Sequence, residues 1–338
     1  MTSVGSGSSG TARPDAVRVG AVDCGTNSIR LLVAEGVPGE AGLVDVTREM
    51  RIIRLGEGVD ATGRLSDGAI SRCRTALTDY TATMAELGVQ SVRMVATSAT
   101  RDARNKDEFF GMTADVLGKH FPGAVAELIS GQTEAELTFA GGVVDLAPAD
   151  GPFVVADLGG GSTEIVVGEY DDGELRLLGA ESLDIGCVRI TERTLPSDPH
   201  TAEELAEGRR VISEALEGAR ELPLGRARRF VGVAGTFTTI SAVAQGLETY
   251  DPERLHNSVI TLDQMREVCD RLAAATVSER RGLGPMHPGR ADVIGGGALV
   301  AAALCELMSD RAGITEITVS EKDILDGIAM SVLTRLAG

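Results

Sequence analysis

Two similar segments, far apart in the chain, indicate a duplicated structural unit. The segment "VDCGTNSIRLLVAE" (residues 22–35) aligns without gaps with "ADLGGGSTEIVVGE" (residues 156–169), and Asp, Gly and Ser match at a constant offset of 134 residues. Self-similarity at a fixed offset is typical of repeated structural units, and this offset has the size of a whole domain. We therefore predict two halves of similar topology that face each other across a cleft.

The order of the other elements gives the fold class. Apolar strand-like runs alternate with segments of helical periodicity along most of the 338 residues. That alternation is typical of α/β proteins, and the length allows two domains that each bury a core. The sequence therefore predicts an α/β protein.

Composition excludes several classes of partner. The net charge of −18 has the wrong sign for general binding to nucleic acids or membrane surfaces. Aromatic residues make up 3% of the chain, with no Trp, which argues against base-stacking platforms. Five scattered cysteines without a CxxC motif are typical of reduced, buried thiols. The Ser/Gly-rich start lacks the apolar segment of a signal peptide, and the apolar run at 295–308 is too short to span a bilayer. We expect a cytoplasmic protein.

Each of the two glycine-containing loops is predicted to be the turn of a β-hairpin. Each follows a strand and runs into apolar, β-branched residues, whereas dinucleotide and Walker loops open a helix. Successive backbone N–H groups in such a turn can hold a phosphate, and Gly159, Gly160 and Gly161 carry no side chain that would block its approach. A plain hairpin is the alternative for one copy, but two matched copies favour phosphate binding.

Acidic residues beside these loops suggest a metal ion. Asp157 precedes the second loop and Asp23 holds the matching position in the first. A carboxylate next to a bound phosphate is expected where Mg²⁺ lies between them, because Mg²⁺ binds through one or two carboxylates, waters and phosphate oxygens. Glu164 is a third candidate ligand or a water-orienting group. Its alternative is an exposed strand residue.

Three further segments contain candidate site residues. In "VAGTFTTISA" (233–242), Gly235 and Thr236 suit contact with a phosphate or a nucleoside, or belong to a simple strand-to-helix turn. In "ISGQTEAELTF" (129–139), a glutamate early in a helix suits a general base or merely complements the helix dipole. These residues alone do not choose between Glu134 and Glu136. In "ATSATRDARN" (96–105), Arg101 suits bidentate contact with phosphate; the alternative is a solvated loop.

Taken together, these motifs resemble the exopolyphosphatase/guanosine pentaphosphate phosphatase family of the actin-like ATPase superfamily. The resemblance covers residues 17–335 and includes "LDIGCVRITE", "GRADVIGGGALV" and "ITVSEKDILDGI", in that order. It implies two ribonuclease-H-like domains, with the last helix returning to the first of them. The expected divisions are a disordered tail at 1–16, a first domain at 17–137 plus 322–338, and a second domain at 138–321.

The resemblance also implies roles for individual residues. Glu134 aligns with the catalytic glutamate of the family, the proposed base for the attacking water, and Arg101 aligns with an arginine that contacts phosphate. Asp157 and Glu164 match acidic residues associated with catalysis and metal, and Asp23 is the third expected metal ligand. The expected phosphate-binding residues are Gly25, Thr26, Asn27, Ser28, Gly159, Gly160, Gly161, Ser162, Gly235 and Thr236.

The expected activity is Mg²⁺-dependent removal of terminal phosphate from inorganic polyphosphate by a homodimer. The family usually has two adjacent glutamates where this chain has Thr133 and Glu134. Long members carry additional C-terminal domains that are thought to grip long polymers, so a chain ending at 338 is expected to prefer short polyphosphate. The alternatives are guanosine pentaphosphate hydrolysis, an ATPase or kinase of the same superfamily, and a non-enzymatic polyphosphate- or nucleotide-binding regulator.

Overall fold

A computed structural model describes residues 15–40, 42–171 and 174–338. These residues divide into two compact units, one ending at Ser130 and completed by Ile324–Gly338, and the other comprising Gly131–Asp323. The first division comes before the predicted 137/138, because the helix Gly131–Val143 lies entirely in the second unit. Residues 1–14 of the predicted disordered tail lie outside the described residues.

The first unit is a five-stranded sheet with helices. Its sheet order is β3-β2-β1-β4-β5, in which β1 pairs antiparallel with β2 and parallel with β4. Its strands are β1 (Val17–Cys24), β2 (Ser28–Gly36), β3 (Val44–Ile52), β4 (Ser91–Ala96) and β5 (Glu127–Leu128), and its helices are α1 (Val59–Thr62), α2 (Asp67–Glu86), α3 (Ser98–Asp102), α4 (Lys106–Leu117) and α13 (Ile324–Ala337).

The helices of the first unit begin, end and dock for identifiable reasons. Helix α2 follows the N-cap residue Ser66, whose hydroxyl accepts a hydrogen bond from the Ala69 N–H. Gly88, with φ of 69°, follows the end of that helix. Helix α13 is anchored by Asp326, whose buried carboxylate accepts two hydrogen bonds from Arg48 on β3, at 2.6 and 3.1 Å. Residues close to the C-terminus therefore complete the first unit.

The second unit contains a six-stranded sheet in the order β10-β11-β9-β6-β7-β8. Its strands are β6 (Phe153–Leu158), β7 (Thr163–Asp171), β8 (Glu174–Leu183), β9 (Arg229–Val233), β10 (Ser258–Thr261) and β11 (Glu316–Val319). Its α-helices are α5 (Gly131–Val143), α6 (Cys187–Thr194), α7 (Ala202–Leu216), α8 (Ala234–Ala244), α9 (Pro252–Leu255), α10 (Leu262–Ala274), α11 (Val277–Arg281) and α12 (Ile294–Ala312), and its 3₁₀ turns are Pro148–Asp150, Gly218–Glu221 and Leu224–Arg226.

The two units share one strand topology, as the internal repeat predicts. In each, three antiparallel strands (β1–β3 and β6–β8) are followed by strands parallel to the first (β4 and β9). Cys24 pairs with Ile29 across the first turn and Leu158 pairs with Thr163 across the second, so the offset of 134 residues holds in the backbone pairing. The predicted α/β fold with two ribonuclease-H-like units is confirmed.

The glycine triplet that opens α12 serves helix packing. A side chain at Gly296 would place its Cβ 2.5 Å from the Thr191 hydroxyl, and one at Gly297 would lie 2.8 Å from Thr236 Cγ2. Helix α12 therefore approaches α6 and α8 closely along its first turn. This packing explains the run "GGG" at 295–297 without a role in ligand binding.

Arg280 is a fully buried cation that stabilises the second unit. Its guanidinium donates to the backbone carbonyls of Leu272, Ala273 and Ala291. Replacement by Met removes these three hydrogen bonds from a buried site, so Arg280→Met is expected to lower the free energy of unfolding by about 2–4 kcal/mol. Denaturant unfolding monitored by circular dichroism measures this loss. An unchanged unfolding midpoint would contradict the assigned role.

Of the other predictions from the sequence, the one about the cysteines is confirmed, whereas two short helices were not predicted. All five cysteines are free and buried, as predicted. The segment after β4, for which a solvated loop was the alternative, contains the short helix α3, and α6 was not predicted from the sequence. Within the described residues, no helix combines the length and apolar character needed to cross a membrane.

Candidate active site

The carbonyl groups of the second glycine loop are held by the start of α6. Gly159 O accepts from Cys187 N–H at 3.0 Å, and Gly160 O accepts from Val188 N–H at 2.9 Å and Arg189 N–H at 3.1 Å. The loop and the helix touch at Gly186, where an added Cβ would lie 2.4 Å from Gly160 C and O. The first N–H groups of α6 are therefore satisfied by the loop and not by a side-chain cap.

This anchoring directs the N–H groups of the loop away from α6. The peptide bonds of the loop are trans, so each N–H points opposite to the carbonyl of the preceding residue. Because the carbonyls of Gly159, Gly160 and Gly161 all accept from α6 residues, the N–H groups of Gly160, Gly161 and Ser162 share the opposite side. Within residues 15–40, 42–171 and 174–338, none of these three N–H groups donates to a backbone carbonyl. Three such donors in succession form the kind of concavity that binds anions.

The first loop is anchored in a similar way. Thr26 O accepts from Gly56 N–H at 2.8 Å, while Asn27 O accepts from the N–H groups of Ile53 and Arg54 at 3.0 and 2.9 Å. Arg54 has a φ of 49°, an unusual conformation for a residue other than glycine. The same peptide geometry directs the N–H groups of Asn27 and Ser28 away from this support.

The repeated hairpins differ in charge at one pair of facing residues next to the loop. In the first unit Asp23 faces Arg30, and its Oδ2 accepts hydrogen bonds from Arg30 Nε at 3.0 Å and Nη2 at 2.7 Å. In the second unit the matching residues are Asp157 and Glu164, which also face each other across two strands. One copy therefore contains an ion pair where the other contains two carboxylates. The excess negative charge lies in the second unit.

Glu134 joins the two carboxylates of the second unit. It lies in the first turn of α5 and is 7% exposed, whereas Glu136 is exposed and accepts from the Gln132 amide. Helix α5 starts close to β8, because a side chain at Gly131 would bring its Cβ within 2.5 Å of Ser182 Cβ. Of the two candidate bases that the sequence left open, Glu134 is the one buried next to other acidic side chains.

The electrostatics of this carboxylate cluster act on Glu164, which is 1% exposed. Burial raises its pKa well above the ordinary value, and the nearby charges of Glu134 and Asp157 raise it further. The hydroxyl of Ser182 donates to Glu164 Oε1 at 2.7 Å and partly opposes this shift, as does the hydroxyl of Ser162. Thr138 on α5 donates to Asp157 Oδ2 at 3.2 Å. The cluster is therefore buried, acidic and supported by hydroxyl donors.

The raised pKa of Glu164 predicts a pH-dependent gain in stability for Glu164→Gln. Because the folded protein binds this proton more tightly than the unfolded chain does, the stability of the wild type falls as the pH rises above the ordinary value of 4.5. The variant lacks this loss, so its Tm is expected to exceed that of the wild type near pH 8 and to converge with it near pH 4.5. Thermal unfolding in EDTA across that range measures the difference. The exposed Glu136→Gln is the matched control, and a Tm difference for Glu164→Gln that does not vary with pH would contradict the prediction.

The predicted metal ligands are not gathered into one set. Among the described residues, no group of three or more His, Cys, Asp or Glu side chains has an arrangement that would hold a metal ion. Asp23 belongs to the first unit and is ion-paired with Arg30. Asp157 and Glu164 nevertheless fit Mg²⁺, which needs only one or two carboxylates. Their crowded negative charge, visible in the raised pKa of Glu164, is the environment that a bound cation would relieve.

The remaining predicted residues lie on other elements of the fold. Arg101, on α3 of the first unit, donates from Nη1 to Ile129 O at 3.2 Å. Gly235 and Thr236 lie in the first turn of α8 after Ala234, which has a φ of 68°. A side chain at Gly235 would overlap Arg290, whose Nη1 donates to Gly235 O at 2.9 Å. These contacts give Gly235 a packing role, and its predicted contact with phosphate stays a prediction.

The sequence alone did not reveal several residues that shape the site. Arg30, Ser182, Thr138, Arg189 and Arg290 all contact predicted site residues. Arg30 was detectable, since it stands at the position that matches Glu164 under the offset of 134. Burial raises the pKa of the Cys187 thiol, at the start of α6, to about 11, so this cysteine is protonated near neutral pH.

This chain is similar in sequence to known phosphatases. Exopolyphosphatase 2 of Mycobacterium tuberculosis is 56% identical over 318 residues, covering 93% of this chain and 98% of that protein. The guanosine-5'-triphosphate,3'-diphosphate pyrophosphatase of Aeromonas hydrophila is 28% identical, and the match covers 93% of this chain and 59% of that protein.

Solved structures and a family pattern extend the comparison. The crystal structure of an exopolyphosphatase-like protein matches with a TM-score of 0.90 and 38% identity, over 96% of this chain and 100% of that one. The Aquifex aeolicus member of the Ppx/GppA protein family matches with a TM-score of 0.76 and 28% identity, over 96% and 99%. The sequence pattern of the Ppx/GppA phosphatase family matches residues 32–332. This chain belongs to the Ppx/GppA phosphatase family.

Proposed function

We propose that this protein is an exopolyphosphatase that hydrolyses the terminal phosphoanhydride bond of short inorganic polyphosphate. The observation that carries the proposal is the difference between the two hairpins. Both present backbone N–H groups suited to phosphate, but only the second combines them with two facing carboxylates, Asp157 and Glu164, and with the buried Glu134. Donors for an anion next to carboxylates suit the hydrolysis of a phosphoanhydride by water.

Each group has a proposed part in the reaction. Glu134 accepts a proton from the attacking water, while the N–H groups of Gly160, Gly161 and Ser162 bind the oxygens of the terminal phosphate. Arg101 and the first loop (Gly25, Thr26, Asn27 and Ser28) are assigned to further phosphate contacts by the family resemblance. Asp157 and Glu164 would hold Mg²⁺, which when bound offsets negative charge on the phosphates. Catalysis then consists mainly of positioning and electrostatic stabilisation.

The relatives support polyphosphate as the substrate and provide one alternative. Exopolyphosphatase 2 is 56% identical over nearly its whole length, which favours the same substrate class here. The more distant Aeromonas hydrophila relative is named for a guanosine nucleotide. Guanosine pentaphosphate is therefore the second candidate substrate. The proposal also includes Mg²⁺ as the metal, a homodimer and a cytoplasmic location. These three parts rest on the family resemblance and on the composition.

Phosphate release from four substrates tests the proposal. Purified protein with Mg²⁺ is assayed on short polyphosphate, long polyphosphate, guanosine pentaphosphate and ATP. We expect the highest kcat/KM on short polyphosphate and no release when EDTA removes the metal. Release of phosphate from guanosine pentaphosphate alone would make that nucleotide the substrate instead of polyphosphate. Hydrolysis of ATP alone, with release of ADP, would favour an ATPase or kinase. Binding of polyphosphate without any release would favour a regulator.

A further inference from the structure

Arg189 places a buried cation behind the second glycine loop. Its side chain is 10% exposed, and its Nε donates to Gly161 O at 2.8 Å. Asp184 Oδ1 lies 3.7 Å from Arg189 Nη2, and the Asp184 side chain is 76% exposed. Exposed ion pairs of this kind contribute little, and the hydrogen bond to Gly161 O is the contact that joins the Arg189 guanidinium to the loop.

The hydrogen bond from Arg189 to Gly161 O lets this cation polarise the peptide group between Gly161 and Ser162. Gly161 O and the N–H of Ser162 belong to the same trans peptide and point in opposite directions. A hydrogen bond from a charged donor is stronger than a neutral one, and donation to a carbonyl polarises the peptide so that its N–H becomes a better donor. The cation thus acts on an anion at Ser162 N–H without touching it.

The same helix supports the neighbouring peptides. The backbone N–H groups of Cys187, Val188 and Arg189 donate to Gly159 O and Gly160 O, and the positive end of the α6 dipole therefore meets the loop from the same side. A helix N-terminus that binds phosphate directly keeps its N–H groups for the ligand. Here the first N–H groups of α6 donate to the carbonyls of the loop, and the loop presents its own N–H groups to the ligand instead.

We propose that Arg189 is a positioning residue that fixes the second glycine loop and strengthens its N–H donors toward the phosphate chain. This inference rests on the proposed phosphate-binding role of that loop. It predicts that Arg189 contributes to substrate binding, and not only to the stability of the fold as a buried hydrogen-bond donor.

Arg280 offers a matched control in the same unit. It too is a buried arginine that donates to backbone carbonyls, but its partners belong to α10 and to the segment before α12, not to the loop. Arg189→Met and Arg280→Met each remove one such guanidinium. Arg189→Lys keeps the charge and is the conservative variant.

The test measures KM and kcat on inorganic tripolyphosphate, and the inhibition constant of orthophosphate, at a temperature where circular dichroism shows every variant folded. We expect Arg189→Met to raise KM and the inhibition constant roughly 10- to 100-fold, Arg189→Lys to restore part of the loss, and Arg280→Met to lower Tm while leaving KM unchanged. An unchanged KM and inhibition constant in folded Arg189→Met would overturn the proposal, as would an equal rise in Arg280→Met.

Calorimetric binding of tripolyphosphate separates this proposal from the proposed function. If the wild type binds tripolyphosphate but hydrolyses none of the substrates, the proposed function fails and the affinity of Arg189→Met still decides the role of Arg189. Weaker binding by Arg189→Met than by Arg280→Met supports the inference, whereas equal affinity overturns it.

Discussion

Phosphate release from short polyphosphate is expected to fall by about 10²- to 10⁴-fold in Glu134→Gln. The substitution keeps the size of the side chain and its place in the first turn of α5, but the amide does not accept a proton from water. Because Glu134 lies beside Asp157 and Glu164, removal of one negative charge also lowers repulsion in the cluster. We therefore expect kcat to fall while the folded state is at least as stable as the wild type. Steady-state kinetics and a thermal melt measure the two effects.

Glu136→Gln is the matched control for this substitution. It makes the same chemical change two residues away, on the exposed side of the same helix. Its kcat and KM are expected to equal those of the wild type. A Glu134→Gln enzyme with wild-type kcat would remove Glu134 from the proposed mechanism, and a comparable loss in both variants would point to a general effect on α5.

Gly186→Ala is expected to lower kcat/KM by roughly 100-fold or more, because it displaces the second glycine loop. The added Cβ would lie 2.4 Å from the carbonyl carbon and oxygen of Gly160 and 2.6 Å from Gly161 N. These are backbone atoms, so the loop or the start of α6 has to move by a large part of an ångström. A displacement of about 1 Å in a positioning group costs on the order of 10²-fold in rate. Gly186 has a φ of −137°, which any residue adopts, so the effect comes from the contact alone.

Gly111→Ala provides the comparison for the loop variant. Gly111 lies in α4, is exposed, and an added Cβ would meet no atom within 4 Å. This variant is expected to keep wild-type kinetics and to gain about 0.5–1 kcal/mol in the free energy of unfolding. Kinetics and denaturant unfolding are measured on both variants. Wild-type kcat/KM in Gly186→Ala would show that the loop tolerates the displacement or does not bind substrate.

Local pattern and the internal repeat predicted the fold and the position of the loops well. Strand-like runs on both sides of each glycine turn were enough to predict hairpins, and the constant offset predicted two units of one topology. The contrast between Arg30 and Glu164 was also contained in that alignment. Matching residues identify a repeat, whereas a difference in charge between its copies shows only at the positions that do not match.

Contacts between distant segments were beyond prediction from the sequence. Support of the glycine loop by Arg189 joins residues 28 positions apart, and Arg290 reaches Gly235 across 55 positions. No periodicity or spacing rule connects such residues, since their proximity follows from the assembled sheet and its helices. The choice of Glu134 over Glu136 from structure likewise depended on burial against β8, which helical periodicity does not reveal.

The pairing of Arg48 with Asp326 sets an order of events during synthesis on the ribosome. The sheet of the first unit emerges early, but the helix that carries Asp326 emerges only after residues 131–323 have been made. At translation rates of about 5–20 residues per second, this delay lasts roughly 10–40 seconds. During that time Arg48 has no Asp326 and β1 has no α13 to cover it. The second unit is contiguous in sequence, so it can complete its fold on the nascent chain before α13 is available to complete the first unit.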